Sequence, residues 1–247
     1  MTHTIVKYCT ALSLLLLSFA LWNKNALPSP QALRPEMLEE PKQIETSLAP
    51  FETTVGQVVY TVKPRYEYDL YGLVVSEHDS NTWWDYIHRE SNDHLNVNDL
   101  CVVWGKNAQS GSYQDLTFSS GQFVCYVQAH SEEAYVAFDP ASLSNNHMLS
   151  DDKRLAKILR GMRIGDQIHF RGYLAEYSHN HGFAFHRGTS TTRLDTGNGA
   201  CETVYVTDVQ ILHSGNKAWR RLVWFATAAL LASILAWFWL PVRFRDV

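Results

Sequence analysis

The sequence predicts a mainly β domain with one inserted helix, placed between an N-terminal apolar helix and a C-terminal transmembrane helix. Three observations predict it. Two stretches, Tyr8 to Trp22 and Leu222 to Leu240, are apolar and carry no charge. Between Phe51 and His213, short alternating runs rich in aromatic and β-branched residues are separated by Gly, Asn, Asp and Ser clusters, the pattern of half-buried strands. Within that region only Ser150 to Gly161 has a clear helical period.

Composition narrows the class. The 247 residues are 46% hydrophobic and 13% aromatic, which excludes a disordered chain. The 21 Lys and Arg against 25 Asp and Glu leave a charge of -4, which argues against a protein dedicated to nucleic acid.

Residues 1–22 form a short basic lead and an apolar segment. As a helix, Tyr8 to Trp22 spans roughly 22 Å, short for a bilayer core. It reads as an uncleaved signal anchor, or as a secretory signal peptide with a Ser18-Phe19-Ala20 cleavage site. The anchor is favoured because bulky Leu21 and Trp22 follow that site at once. Residues 23–50 carry Pro28, Pro30, Pro35, Pro41 and Pro50 with Glu36, Glu39, Glu40 and Glu45, the composition of an extended or lightly helical linker.

In residues 51–213 the expected strands are 57–62, 68–75, 100–104, 122–127, 167–176, 182–186 and 203–212, with a short helix over Trp83 to Glu90. Ser150 or Asp151 caps the clear helix, Leu155, Ile158 and Leu159 form its apolar stripe, and Gly161 ends it. Several strands, one helix, then a Gly165-Asp166 turn into a strand broken by Gly172 is an order that resembles an OB-fold, a small five-stranded β-barrel. The resemblance implies an OB-like β-barrel over roughly Val55 to Leu212, in which Gly172 lets a strand coil.

Residues 219–241 form the C-terminal transmembrane helix. Trp219 and Trp224 at one end and Trp237 and Trp239 at the other resemble interfacial aromatic belts. A short basic tail, 242–247, follows with Arg243 and Arg245. Lys24, Arg34, Lys217, Arg220 and Arg221 on the side of the central domain outnumber the basic residues near the chain ends, which by count alone places that domain in the cytoplasm. The signal-like first segment argues the opposite, and because the first helix usually dominates, an exported domain is expected. The chain has no Asn-x-Ser/Thr sequon, so the expected location is a bacterial inner membrane with the domain in the periplasm.

Four candidate sites stand out. Cys101 and Cys125 lie on two expected strands and suit a cross-strand disulfide, leaving Cys9 in the apolar segment and Cys201 unassigned. His179, His181 and His186 form the densest histidine cluster, and the first two share a face of an extended segment, as two metal ligands must. Arg187, Thr189, Ser190 and Arg193 combine hydroxyls with two guanidinium groups and suit an anionic ligand. An OB-type face would add Trp104 and Tyr173, with Tyr68, Tyr71 and Tyr126. No motif calls for a cofactor. The histidines are the donor set that would suit Zn²⁺, and Asp195, Asn198 and Glu202 the one that would suit Ca²⁺.

Walker, dinucleotide-binding, Cys-x-x-Cys and His-Glu-x-x-His patterns are absent, and no nucleophile beside a base is legible. The expected function is therefore non-enzymatic: a membrane-tethered module binding envelope proteins or an envelope ligand. A metal-assisted hydrolase using the three histidines is the alternative. A cytoplasmic OB-type module holding nucleic acid through Arg154, Lys157, Arg160 and Arg163 is the reading the net charge favours least.

Overall fold

A computed structural model describes residues 2–193, 195 and 201–240. The basic tail 242–247 and Asn198 lie outside the described residues. The chain divides into two compact units, residues 1–26 with 216–247, and residues 27–215.

The first unit consists of two helices, α1 (Thr2–Asn23) and α6 (Lys217–Trp239), both long and apolar enough to cross a membrane. They pack on one another through edge-to-face rings, His3 on Trp237 at 5.8 Å and Phe19 on Trp219 at 5.2 Å. Midway, Thr10 Oγ1 donates to Ser233 Oγ at 3.0 Å, a polar contact suited to helices that share an apolar solvent.

The second unit is mainly β. Its strands are β1 (Lys42–Glu45), β2 (Phe51–Val55), β3 (Val58–Asp79), β4 (Asn96–Val103), β5 (Leu116–Gly121), β6 (Val124–Ala129), β7 (Leu143–Leu149), β8 (Gln167–His179), β9 (Phe185–Arg187) and β10 (Glu202–His213). Short helices α2 (Ile87–Glu90), α3 (Gly105–Ser110) and α4 (Glu132–Ala137) and the longer α5 (Lys153–Gly161) connect them.

The 22-residue β3 joins two segments that read as separate strands in sequence. Register shifts at Pro64/Tyr66 and Val74/Ser76 bend it, as bulges do. Thr61 to Leu73 pair with β8, and Leu73 to Asp79 pair with β4. β4 pairs with β7, β7 runs parallel to β10, and β10 pairs with β8, so the pairing path returns to β3. Within this path lie Leu70, Leu100, Val102, Phe170 and Val204, all fully buried.

α5 lays its expected stripe onto the same core, with Leu155 and Leu159 buried and Ile158 partly so. Its cap is Asp152, one residue beyond those expected, because Oδ1 accepts from Arg154 N at 2.6 Å and Leu155 N at 3.3 Å. The expected helix at Trp83 contracts to α2.

Three further departures concern the site. Residues 27–50 belong to the β unit: Met37 is fully buried, and Gln167 accepts from Arg34 N at 2.8 Å while donating to Ala32 O at 2.9 Å. β7, which does not read as a strand, is buried along nearly its whole length although Asn, Ser and His fill it. Finally, β5 and β6 form their own two-stranded hairpin, attached to β4 where Cys125 Sγ lies at bonding distance from Cys101 Sγ, with Cα atoms 6.0 Å apart.

Candidate functional site

The register places three polar residues side by side across the sheet. His78 on β3 is opposite Asp99 on β4, and Asp99 is opposite His147 on β7. All three are buried, where an apolar side chain is the rule and each polar group needs a partner. The partners form one continuous chain of hydrogen bonds.

At one end Asp85 Oδ2 lies 2.6 Å from both His78 Nε2 and His88 Nδ1. Asn96 Nδ2 contacts His88 Nε2 at 2.9 Å and Asp99 Oδ1 at 2.8 Å. His147 Nδ1 meets Asp99 Oδ1 at 2.6 Å, and its Nε2 faces Arg187 Nη2 at 2.6 Å. An arginine can only donate, so the Arg187 contact favours the neutral ring, in opposition to Asp99, whose charge favours the imidazolium. Cys201 Sγ accepts from Asn145 Nδ2 at 3.6 Å and donates to Phe123 O at 3.9 Å.

The β5–β6 hairpin closes this row from above. At its tip Phe123 N donates to Asp99 Oδ2 at 3.0 Å, and Phe123 O accepts from Asn145 Nδ2 at 3.0 Å. The Phe123 ring packs on His88 at 3.8 Å, edge-on to His147 at 5.4 Å, and beneath the Arg187 guanidinium at 4.0 Å. Holding phenylalanine at a φ of +64° costs about 1 kcal/mol or more, so these contacts outweigh a local preference for another conformation.

Burial and charge set the proton affinities. Burial by itself would raise the Asp99 carboxyl and lower His147, but each stabilises the other's charged form. Asp99 is held well below the usual carboxylate range and His147 is raised to about 9. Burial likewise pushes the Cys201 thiol up, yet the hydrogen bond and charge of His147, with Arg187 and Asn145, leave it below its ordinary value. Burial raises the Asp93 carboxyl, which accepts from Tyr177 Oη at 2.6 Å.

Beside the row, a cleft of roughly 370 Å³ is lined by Trp83, Asp85, His88, Arg89, Asp93 and Asn96, among others. Trp83 projects into solvent at its rim, 87% exposed. No protein family, curated protein or solved structure matches this chain.

Sequence-expected residues fall in several places. His179 is buried and spent locally, its Nε2 on Ser91 O at 2.8 Å and its Nδ1 accepting from His181 N at 3.1 Å. His186 is exposed and faces Glu176 at 3.6 Å. Among the described residues, the three-membered group whose donor atoms lie within 4.8 Å of one another is His78, Asp85 and His88. Two ring nitrogens and a carboxylate oxygen suit Zn²⁺, although here they are satisfied by each other.

The hydroxyl loop binds itself. Ser190 Oγ donates to Asp195 Oδ2 at 2.9 Å, and Thr189 Oγ1 accepts from Thr203 N at 3.0 Å. Arg187 and Arg193 turn to different partners, His147 and the face of Trp104 at 5.5 Å. Trp104 is fully buried, with Nε1 on Glu40 at 3.2 Å, so it is part of the core rather than of an open face. Tyr173 lines a separate groove of roughly 380 Å³ with Lys42, Glu67, Asp69 and Arg171. For a Ca²⁺ set, Asp195 Oδ2 already accepts from Ser190, Thr191 and Thr192, and Glu202 is buried with its carboxyl raised to about 7.

Sequence reasoning missed His78, Asn96, Asp99 and His147, and it read Asp85 and His88 only as part of a short helix or binding edge over Trp83 to His88. Their local signal is polarity, which reads as loop. The usable clue is Asn145-Asn146-His147 between Leu143 and Met148-Leu149, a polar run bounded by apolar residues.

Proposed function

We propose that the chain is a membrane-tethered binding module of the cell envelope, anchored in a bacterial inner membrane with its β unit in the periplasm, and that the β unit is an OB-like barrel. The strand order β3-β4-β7-β10-β8-β3, with α5 between β7 and β8, is the order an OB barrel requires. In that fold the second and third strands and the loops between strands one and two and between strands four and five receive ligands. Here these are β4, β7 and the segments 80–95 and 180–193.

The observation that carries the reading is that the buried polar row opens at this place and at no apolar face. Three buried imidazoles, three acids and an amide, beside a cleft rimmed by an exposed tryptophan, form a seat for a polar ligand. The Cys101–Cys125 pair supports an oxidising compartment, and the packing of α1 on α6 supports retention of α1 as an anchor. Nucleic acid fits less well: Arg163 spends its guanidinium on two backbone carbonyls, and Arg160 faces Asp79 at 3.7 Å.

A photo-cross-linking residue at position 83, in cells, tests the binding site. Discrete adducts with an envelope component are expected at 83 and not at exposed Tyr135 on α4. Equal adducts at both positions would remove the reading. A membrane-impermeant thiol reagent tests the side: Cys201 should label in intact spheroplasts, and labelling only after permeabilisation would place the domain in the cytoplasm.

A further inference from the structure

One carboxylate oxygen of Asp85 faces two imidazoles at once. Oδ2 lies 2.6 Å from His78 Nε2 on β3 and 2.6 Å from His88 Nδ1 on α2, and all three side chains are buried. The other oxygen, Oδ1, accepts from His88 N at 3.0 Å, and Asp85 N donates to Thr82 O at 3.1 Å, so backbone contacts fix the turn that carries Asp85 and His88. His78 is fixed by its strand and by the Trp84 ring at 4.6 Å. The sheet and the turn thus bring two nitrogens and an oxygen to one point.

A second observation stands beside this cluster. Asn96 lines the same cleft as Asp85 and His88, and its Nδ2 lies 2.9 Å from the far nitrogen of His88, Nε2. That is the position of an outer-shell group that orients a metal-bound imidazole. Asn96 is 1% exposed, yet its Oδ1 has no partner among the described residues. A buried amide oxygen without a donor calls for an explanation.

We propose that His78 Nε2, His88 Nδ1 and Asp85 Oδ2 are the protein ligands of a Zn²⁺ ion whose fourth position opens to the cleft beside Trp83. Two imidazoles with one carboxylate and a position left open make up a common donor set for this ion, whereas Ca²⁺ and Mg²⁺ take oxygen donors. A tetrahedral ion with bonds of about 2.0–2.1 Å spaces its donors by roughly 3.3 Å, so the carboxylate has only to draw back slightly from the two rings. Binding at Nδ1 leaves the His88 ring proton on Nε2, and a turn of the Asn96 amide lets Oδ1 accept it. The open position holds water, or a donor atom of the envelope component that the module binds. The proposal rests on reading this cleft as the ligand site and names the ion through which it binds.

The test uses the full chain in detergent, stripped by a chelator, with the disulfide intact and Zn²⁺ alone as the probe. One Zn²⁺ per chain should bind with a Kd below about 1 μM. The X-ray absorption fine structure of the bound ion should show two imidazoles with oxygen at about 2.0–2.2 Å and no sulfur at about 2.3 Å. His181→Ala with His186→Ala, at exposed positions away from the cluster, should leave the affinity unchanged. Asp85→Asn should weaken it beyond the about 10–100-fold that loss of an outer-shell partner costs. Less than one ion per chain, a single imidazole or a sulfur on the zinc, or loss of the ion in the His181→Ala, His186→Ala chain would overturn the proposal, and none of the first three needs a variant to fold. Cross-linking at position 83 without Zn²⁺ uptake would leave the binding reading standing and remove this one.

Discussion

Replacing Gly172 by alanine should unfold the β unit far more readily than its small size suggests. Gly172 lies on β8 between two partners, Tyr68 on β3 and Val206 on β10. A Cβ there would sit 2.1 Å from Tyr205 O, 2.9 Å from Tyr205 C and 3.1 Å from Val206 Cα. All three distances are inside the about 3.5 Å at which nonbonded atoms begin to attract. The obstructing atoms are backbone, so relief requires β8 to move from β10 and lose ladder bonds on one side. That places the cost near the top of the range for overpacking, about 3 kcal/mol, or about 6–12 °C in Tm for a domain of this size. Gly161→Ala is the control: nothing lies within 4 Å of its Cβ, and it ends α5, so stability should hold or rise by about 0.5–1 kcal/mol. Thermal unfolding of the full chain in detergent, followed by tryptophan fluorescence, separates the two. If Gly172→Ala melts within about 3 °C of Gly161→Ala, the close approach of β8 and β10 is not what selects glycine.

The other predictions concern the site and its supports. Cys125→Ser, or reduction of the wild type, should cost about 3 kcal/mol, because the bond closes a loop across a separation of 24 residues; a urea midpoint unmoved by reduction would contradict it. Asp85→Asn should cost about 3 kcal/mol, since it leaves the buried His78 and His88 without their shared carboxylate; a loss below about 1 kcal/mol would show that water replaces it. Burial raises the Glu202 carboxyl from 4.5 to about 7, so the folded chain keeps a proton that the unfolded chain gives up. Its contribution is therefore fullest below pH 4.5 and fades as pH rises to about 7, by on the order of 3 kcal/mol. Glu202→Gln should flatten stability across that window, and an unchanged slope in urea titrations would refute the assignment.

The elements legible in the sequence are those whose evidence is local. Leu222 to Leu240 announces an apolar helix because helix length and charge alone decide it. α5 announces itself through the spacing of Leu155, Ile158 and Leu159, and β10 through Val204, Val206 and Val209, because each turns one apolar face to the core. Cys101 and Cys125 were legible as a pair since both sit in apolar strands. Asn145, Asn146 and His147 were not legible as a strand, because their burial is made tolerable by hydrogen bonds to Phe123, Ser144 and Asp99, which only pairing brings near.

The sequence by itself therefore determined the two apolar helices, the β character of the middle and the helix that interrupts it. Those features follow from hydrophobic period and length, which are properties of neighbours in the chain. The tertiary structure decided that β3 bends to pair on both sides, that residues 27–50 join the domain, and that His78, Asp99 and His147 form one row. It also left His179 satisfied locally and gathered His78, His88 and His147 from three elements into one hydrogen-bonded row. A site of this kind is assembled by strand register between residues separated by as many as 48 positions, as Asp99 and His147 are, and no local period encodes that pairing.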